Sequence, residues 1–352
     1  MKQAVCSECA RPVFLCRKES AILIVEFVKK LLGKNERLFR YAKSLKWLIK
    51  ISGEASPLVY HCRGWTSSKR VRNFLKKIVS PFYMGKFFFY RDIPGRKGLA
   101  IVLIAKNEAP YIEEWINFHA RQGVSHFFIY DNESTDNLHE ILKPYIDSGL
   151  VTYRFIKGKV RQNDAYNMAI HDYGRKFKYM AFIDTDEFLF VRKDIDDGNL
   201  CAFLDRFMSE NPNAGGIAVN WCIFGSSGCI TKPEGGVLEN YTMRSEDNFE
   251  ANLHIKTICD PQKVFFYGHC HYPTYRKGFC NLDENGNIVT GPFTSRVSFS
   301  KIRINHYYCK SREEYIAKMK RGRADALLFN DMSNFNKYNQ NVMHDTEILS
   351  RI

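Results

Sequence analysis

The run FIDTDEFLF places three acidic side chains at the end of an apolar segment. Residues 180–183 have the composition of a buried strand, and Asp184, Asp186 and Glu187 follow it. On an extended chain, residues i and i+2 point to the same side and lie roughly 7 Å apart. One such carboxylate can bind a divalent cation while the other holds a water molecule or a sugar hydroxyl. Because Mg²⁺ and Mn²⁺ prefer oxygen ligands and bind phosphate oxygens in turn, the run predicts a site for a nucleotide diphosphate.

The acids belong to a segment in which short apolar runs alternate with amphipathic ones. The apolar runs predict strands, and the amphipathic runs predict helices. Strands are predicted over 99–105, 124–130, 150–156 and 179–183, and helices over 109–122, 134–146 and 162–173. Strand–helix alternation with short connections predicts a parallel α/β sheet that is covered by helices on both faces.

Polar residues follow three of the predicted strands at the point where each strand ends. Lys106–Glu108 follow the first strand, Asp131–Asp136 the second, and Asp184–Glu187 the fourth. Ser134 or Thr135 can cap the next helix, which accounts for part of the pattern. Open α/β sheets bind ligands at the carboxyl ends of their strands. Convergence of three acidic groups at that edge therefore favours a nucleotide site with a metal ion between carboxylates and diphosphate.

Several motifs of the chain resemble glycosyltransferases of the GT-A fold. They are AKNE (105–108), EWINFH (114–119), YDNESTD (130–136), QNDAYN (162–167) and FIDTDEF (182–188). NWCIFGSSG (220–228) and INHYYCKS (304–311) are similar to glycosyltransferase family 92 and its bacterial relatives. The resemblance implies a GT-A (Rossmann-like) mixed, mainly parallel sheet with helices on both faces over residues 99–325. A basic, mainly helical extension (1–98) would precede this domain, and a tail (326–352) would follow it.

The resemblance also implies a reaction and a set of site residues. The reaction is transfer of a sugar, with inversion, from a nucleotide sugar such as a UDP-sugar, with Mn²⁺ or Mg²⁺ as cofactor. The acceptor would be a glycan or glycolipid, as in synthesis of cell-envelope polysaccharide or lipooligosaccharide. Asp186 would bind the metal, Asp184 would contact ribose or metal-bound water, and His306 would be a further metal ligand or contact the diphosphate. The residues expected at the nucleotide sugar are Asn107, Glu108, Asp131, Asn167 and Asp184.

The base that takes the proton from the acceptor hydroxyl is open among several acids. It must approach that hydroxyl to about 3 Å. Glu239, which follows the glycine-rich turn at 233–236, is the first candidate, and Asp247 is the second. Glu187 is a third, although its position beside the metal acids favours a supporting role.

Further residues near these motifs have more than one interpretation. His269 and His271 form an HxH pair that shares one face of a strand, as a metal pair or as part of a packed turn. Trp221 is either a surface for a sugar ring or a core residue. The basic residues expected near the diphosphate are Lys310, Arg321 and Arg323.

The net charge of +14 is concentrated in the first 98 residues, which contain 22 Lys and Arg against 6 acids, whereas the rest contains 30 against 32. A basic arm on a near-neutral domain suggests an anionic partner. Helical spacing over 22–32, 41–51 and 71–79, with lysines opposite the apolar residues, fits either an anionic membrane surface or helices that pack on the main domain and expose a solvated lysine face. We therefore expect a cytoplasmic protein, peripheral at the inner membrane face.

Two other functions are weighed against the glycosyltransferase. A nucleic-acid-binding protein would use the same basic arm, but that function leaves the acidic clusters unexplained. A nucleotidyltransferase would carry a glycine-rich basic signature after the first strand, where this chain has Lys106, Asn107 and Glu108.

Size and composition allow a large core, since 45% of the 352 residues are hydrophobic. No apolar run of 18 residues and no secretory signal are found, so no transmembrane helix is predicted. The eleven cysteines are expected to be reduced. Cys6, Cys9 and Cys16, with His61 or Cys62, fit no standard zinc spacing.

Overall fold

Seven consecutive apolar residues, Leu99–Ala105, form the first strand, and all seven are buried. Alternate residues of this strand enter different cores. Leu99, Ile101 and Leu103 belong to one hydrophobic cluster, whereas Ala100 and Val102 belong to another. Because successive side chains on a strand point to opposite faces, both faces of the sheet are covered, as the near-continuous apolar run predicts.

The computed structural model describes residues 46–50, 52, 54–57, 68–321 and 331–352. The chain divides into two compact units, residues 1–51 and 52–352. In the first unit the described residues, 46–50, are helical. The remainder of the two helices predicted at 22–32 and 41–51 lies outside the described residues. Among the described residues, no helix combines the length and the apolar character needed to cross a bilayer.

The second unit alternates strands and helices along most of its length. The helices are α1 (Lys69–Phe88), α2 (Ala109–Arg121), α3 (Leu138–Asp147), α4 (Gln162–Tyr173), α5 (Leu200–Glu210), α6 (Val237–Asn240), α7 (Arg312–Arg321) and α8 (Met332–Tyr338). The strands are β1 (Leu99–Ala105), β2 (Val124–Asp131), β3 (Val151–Phe155), β4 (Tyr179–Phe182), β5 (Glu187–Val191), β6 (Ala214–Ile223), β7 (Met243–Arg244), β8 (Ile255–Cys259), β9 (Val264–Tyr267), β10 (Pro273–Tyr275), β11 (Cys280–Leu282), β12 (Ile288–Val289), β13 (Ile302–His306) and β14 (Met343–His344).

The central sheet is mixed, with the order β12-β11-β6-β8-β4-β1-β2-β3. Strands β1, β2, β3 and β4 pair in parallel, and β8 runs antiparallel between β4 and β6. Strand β13 pairs in parallel with β6 and antiparallel with β5. The predicted mainly parallel sheet with helices on both faces is confirmed. The carboxyl ends of β1, β2 and β4 meet at one edge.

The predicted elements differ from the observed ones mainly at α3, which begins at Leu138 rather than at Ser134 or Thr135. The Ser134 N–H donates to Asp131, and the Thr135 N–H donates to the side chain of Asn107. One acceptor is three residues away and the other lies in the preceding loop, and together they hold the segment as a loop, so the expected cap at residues 134–135 is wrong.

Helix α1 ends against the β9–β10 hairpin and the turn that follows it. The Lys277 N–H donates to the Phe87 carbonyl at 2.8 Å, and the Arg276 guanidinium donates to the carbonyls of Lys86 and Phe89. Part of the region expected as an extension is therefore attached to the unit that contains the sheet.

Residues 331–352 pack on the same unit rather than extending from it as a tail. Ile348 is 1% exposed and lies in the hydrophobic core. Asp345 forms ion pairs with Arg303 at 2.9 Å and with Arg244 at 2.7 Å. Two buried arginines need this carboxylate, which explains why the C-terminal segment is held in place.

Candidate active site

Asp184, Thr185 and Asp186 form a turn between β4 and β5. The Glu187 N–H donates to the Asp184 carbonyl at 3.0 Å, and the Asp184 N–H donates to the Glu187 carboxylate at 2.8 Å. The expectation of an extended Asp-x-Asp chain is therefore wrong, because the chain reverses here to enter β5. The acids nevertheless lie at the carboxyl edge of β4, where the predicted site was expected.

Asp186 meets two positively polarised partners from other elements. Its Oδ2 accepts a hydrogen bond from the Lys318 ammonium at 2.7 Å, and its Oδ1 lies 3.5 Å from His306 Nε2. His306 ends β13 and pairs with Glu187 across the strands. Burial acts to raise the pKa of Asp186, but Lys318 and His306 outweigh it and hold the pKa well below its usual range. Asp186 is therefore a carboxylate at neutral pH.

His306 is suited to bind a cation with Asp186. Burial lowers the pKa of His306, although Asp186 opposes this effect, so the ring is neutral near pH 7. Its Nδ1 is buried and has no hydrogen-bond partner among the described residues. Ligands at neighbouring positions of an octahedral Mg²⁺ or Mn²⁺ ion lie about 3 Å apart. The 3.5 Å gap between Asp186 Oδ1 and His306 Nε2 fits such an ion after a small adjustment.

Asp184 is held by the protein itself. Its two oxygens accept hydrogen bonds from Gln162 at 2.8 Å and from Lys256 at 2.7 Å. Lys256 also lies 3.5 Å from Glu187, which is fully buried. Burial raises the pKa of Glu187 well above its usual value despite Lys256. Glu187 supports the turn of Asp184 from below the surface, and in this arrangement it has no exposed atoms with which to meet an acceptor.

Three basic side chains surround the open side of Asp186: Lys310, Lys318 and Arg321. Arg321 forms an ion pair with Glu108 and also donates to the carbonyls of Lys106 and Asn107. The Lys310 ammonium lies 3.3 Å from the centre of the Tyr111 ring and has no hydrogen-bond acceptor among the described residues. Burial lowers the pKa of Lys310 to about 8. A buried ammonium without an anionic contact is a candidate for binding an anionic ligand.

Asn107 and Asp131 tie together the loops that follow β1 and β2. Asn107 has a φ of 53°, in the left-handed region that asparagine tolerates, and its side chain accepts the Thr135 N–H at 2.7 Å. The oxygens of Asp131 accept from the Ser134 N–H and the Tyr153 hydroxyl. The hydrogen bonds show that both side chains hold these loops in place. Their roles toward a nucleoside stay predictions.

Asn167 lies in α4 and is committed to the backbone. Its amide nitrogen donates to the carbonyls of Asn163 and Tyr267, and its amide oxygen accepts the Tyr267 N–H. Both amide hydrogens are used, so the contacts that the structure gives Asn167 attach β9 to α4. Its expected contact with the nucleotide sugar stays a prediction.

The candidate bases lie in different surroundings. Glu239 accepts the Gly236 N–H at 2.9 Å and so caps its own short helix, α6. Asp247 is exposed and accepts from Arg244 at 2.7 Å. It follows Ser245, whose N–H donates to the carbonyl of Ile223, the residue that pairs with His306. The chain therefore connects Asp247 to the Asp186–His306 side of the sheet.

Trp221 packs among histidines rather than presenting a face to solvent. It is 8% exposed, stacks on His254 at 4.8 Å and contacts the His306 ring at 4.2 Å. His269, Cys270 and His271 bring one ligand atom each within 4.8 Å of one another, which could hold a metal ion. The metal pair expected at His269 and His271 stays a prediction.

The family model of glycosyltransferase family 92 matches residues 103–348, which is most of the chain. The chain belongs to glycosyltransferase family 92. The match includes the Asp184–Glu187 turn, His306, and the C-terminal segment that packs on the core.

The curated relatives are longer proteins of plants. A glycosyltransferase family 92 protein of Ricinus communis is 28% identical over 158 residues, which are 43% of this chain and 28% of the relative. A family 92 protein of Oryza sativa subsp. japonica is 29% identical over 149 residues, 42% of this chain and 24% of the relative. A galactan beta-1,4-galactosyltransferase of Arabidopsis thaliana is 37% identical over 90 residues, 23% of this chain and 17% of the relative. The chain thus spans less than a third of the length of these relatives.

Two solved structures share part of the family 92 chain's architecture. S. aureus TarS in complex with UDP-GlcNAc is 15% identical, with a TM-score of 0.31, over 47% of this chain and 45% of that one. The mannosyltransferase PcManGT from Pyrobaculum calidifontis, in complex with GDP-Man and Mn²⁺, is 17% identical, with a TM-score of 0.27, over 49% and 46% of the two chains.

Two lysines at this family 92 site were not foreseen from the sequence. Lys256 is the charged residue of the buried strand β8, and a lysine inside such a run is a signal that could have found it. Lys318 reaches Asp186 across 132 residues of sequence, and no local pattern indicates that contact. The expected role of Arg323 and the cysteines of the N-terminal region fall outside the described residues.

Proposed function

We propose that this family 92 protein transfers a sugar, with inversion, from a nucleotide sugar to a glycan or glycolipid acceptor in a reaction that needs a divalent cation. The observation that carries the proposal is the cluster of Asp186 and His306 with Lys310, Lys318 and Arg321 at one edge of the sheet. A carboxylate and a neutral imidazole beside three basic side chains suit a divalent cation together with a diphosphate. A donor with uridine diphosphate is our first choice.

Asp186 and His306 would hold the cation, and Asp184 would be positioned by Lys256 and Gln162 to contact the donor or water bound beside it. The cation, when bound, acts as a Lewis acid toward the departing diphosphate. Mn²⁺ and Mg²⁺ both suit this mixed oxygen and nitrogen ligand set.

The basic side chains would bind the diphosphate directly. Lys310 brings a buried ammonium with no carboxylate within ion-pair distance among the described residues, and Arg321 is oriented by Glu108 and by two backbone carbonyls. Charge that develops on the leaving group is stabilised most by such preorganised donors, because they need not reorient during the reaction. Lys310 therefore contributes to donor binding and to departure of the diphosphate.

Asp247 is the base that we favour, because the Ser245–Ile223 hydrogen bond connects its segment to His306 and because it is exposed to an incoming acceptor. It would take the proton from the acceptor hydroxyl as that oxygen attacks the anomeric carbon. Glu239 is the alternative. Asp247→Asn should lower turnover at least about a hundredfold while UDP still binds, whereas Glu239→Gln should leave turnover near the wild-type value.

An acceptor held at a membrane would fit the exposed side of α1. Val71, Phe74 and Ile78 are 45%, 59% and 49% exposed and follow one helical stripe. Exposed Lys77 accompanies them. An apolar stripe beside basic side chains suits an anionic bilayer surface, where a glycolipid acceptor would be presented.

The proposal is tested by donor screening. The purified protein is incubated with Mn²⁺ and a panel of nucleotide sugars that includes UDP-galactose, and released nucleotide is measured with and without glycan or glycolipid acceptors. Asp186→Asn is the negative control. Release of one nucleotide by the wild type alone supports the proposal. Nucleotide release by the Asp186→Asn variant at the wild-type rate would refute the assignment of the site.

A further inference from the structure

The Lys318 ammonium neutralises the same carboxylate, Asp186, that a divalent cation would use. It donates to Asp186 Oδ2 at 2.7 Å, whereas the remaining oxygen, Oδ1, faces His306. Burial acts to lower the pKa of Lys318, but Asp186 outweighs it, and the net pKa is raised. The carboxylate that is the candidate metal ligand therefore already forms an ion pair with a lysine of the protein.

Two of the contacts that hold Lys318 do not involve Asp186. Its ammonium also donates to the Tyr308 carbonyl at 3.0 Å and lies 4.1 Å from the centre of the Tyr308 ring. The side chain thus has a second anchor on the segment that follows β13. Lys318 can therefore break its hydrogen bond to Asp186 while its contacts with Tyr308 remain.

The neighbouring cations indicate which ligand would accept the hydrogen bond of Lys318 in place of Asp186. The charges of Lys310 and Arg321 also act on Lys318 or on Asp186, so the three cations lie close together. A diphosphate attracted by Lys310 and Arg321 offers Lys318 new oxygen acceptors, and it relieves the repulsion among these like charges.

We propose that Lys318 is a displaceable counter-cation. It neutralises Asp186 in the donor-free protein, weakens the binding of a divalent cation on its own, and passes from Asp186 to the diphosphate when cation and donor bind together. This inference rests on the proposed function. Cation and nucleotide should then bind cooperatively, because the diphosphate draws Lys318 away from Asp186 and the divalent cation replaces it there.

The test measures Mn²⁺ affinity of the full chain, by electron paramagnetic resonance of free Mn²⁺, with and without UDP. Lys318→Met should bind Mn²⁺ alone about tenfold more tightly than the wild type, within the usual range for coupled sites. The gain in Mn²⁺ affinity on adding UDP should shrink by a similar factor. Lys320→Met is the matched control, since Lys320 is exposed on the same helix, and it should behave as the wild type.

Two results would overturn the inference, and they can be told apart. If folded Lys318→Met binds Mn²⁺ alone no more tightly than the wild type, while UDP still promotes Mn²⁺ binding, Lys318 does not compete and the proposed function stands. If Mn²⁺ binds to no variant even with saturating UDP, the cation requirement itself is wrong. Circular dichroism verifies folding, and Lys318→Gln, which keeps a donor for the Tyr308 carbonyl, replaces the methionine variant should that one not fold.

Discussion

Replacement of Lys310 by methionine should raise the free energy of unfolding and lower the affinity for UDP. Burial lowers the pKa of Lys310 from its ordinary value of 10.5 to about 8. At about 1.36 kcal/mol for each pH unit, the charged ammonium costs the folded state about 3 kcal/mol at pH 7, where both states are protonated. Loss of the contact with Tyr111 removes about 1–2 kcal/mol of cation–π attraction. The net expectation is a gain of about 1–2 kcal/mol in the free energy of unfolding.

The sign of the pH dependence gives a second check on the same substitution. Between pH 8 and 10.5 the unfolded chain keeps the Lys310 proton that the folded chain has lost, so wild-type stability rises with pH there. The advantage of the variant should therefore fade as the pH is raised through this window. Urea unfolding at pH 7 and pH 10 measures both effects, and calorimetry with UDP measures the loss of affinity.

The control for this experiment is Lys232→Met, because Lys232 also lies over the Tyr111 ring, at 5.1 Å, but is exposed. Its removal should change stability by no more than about 0.5 kcal/mol. A Lys310→Met protein that is less stable than the wild type at pH 7, with unchanged affinity for UDP, would refute the view that this ammonium is retained for an anionic ligand.

Three further outcomes are expected. Asp186→Asn should abolish sugar transfer and Mn²⁺ binding and should lower the melting temperature, because it removes the anionic partner of the Lys318 ammonium; released nucleotide and thermal unfolding measure these effects. Asp345→Asn should lower the free energy of unfolding by about 2 kcal/mol at pH 7, because burial acts to raise the Asp345 pKa but Arg303 and Arg244 outweigh it and hold the pKa at about 2. In acid unfolding, this difference from the wild type should disappear as the pH falls from about 4 to 2. Lys256→Met should destabilise the protein by about 3–5 kcal/mol in urea unfolding, because it leaves Asp184 and its buried neighbour without a cation.

The sequence was sufficient to predict the sheet and the edge that carries the site. Near-continuous apolar runs such as Leu99–Ala105 are typical of strands that are covered on both faces of a sheet. The acidic groups follow these runs at the points where the strands end. It was not sufficient for the turn at Asp184, since a reversal into β5 depends on Glu187 folding back to accept the Asp184 N–H. The start of α3 was missed for a similar reason, because Asn107 supplies an acceptor from another loop.

The partners of the acids were the least predictable part of the site. Each acid pairs with a lysine far away in sequence: Asp184 with Lys256 and Asp186 with Lys318. Burial and ion pairing at these positions depend on how β8 and α7 pack against the edge, which local patterns do not encode. The predicted cation ligands stay predictions, and the lysines that pair with them lie too far away in sequence for a local pattern to indicate them.

Under the proposed function, the balance of charge at this edge would favour departure of the diphosphate over retention of the donor. Among the described groups, Asp184 is paired with Lys256. Around Asp186, the carboxylates of Asp186 and Glu108 face the cations Lys310, Lys318 and Arg321, which leaves one positive charge in excess among these five groups.

A nucleotide sugar gains negative charge on its diphosphate as the bond to the sugar breaks. A site with excess positive charge binds that developing charge more tightly than it binds the intact donor, and only such differential binding lowers the barrier. Under the proposed function these cations would therefore act in the reaction itself, although the buried ammonium of Lys310 destabilises the free protein. Removing any one of them should lower turnover more than it lowers affinity for the donor, which a comparison of kcat and KM for each variant will decide.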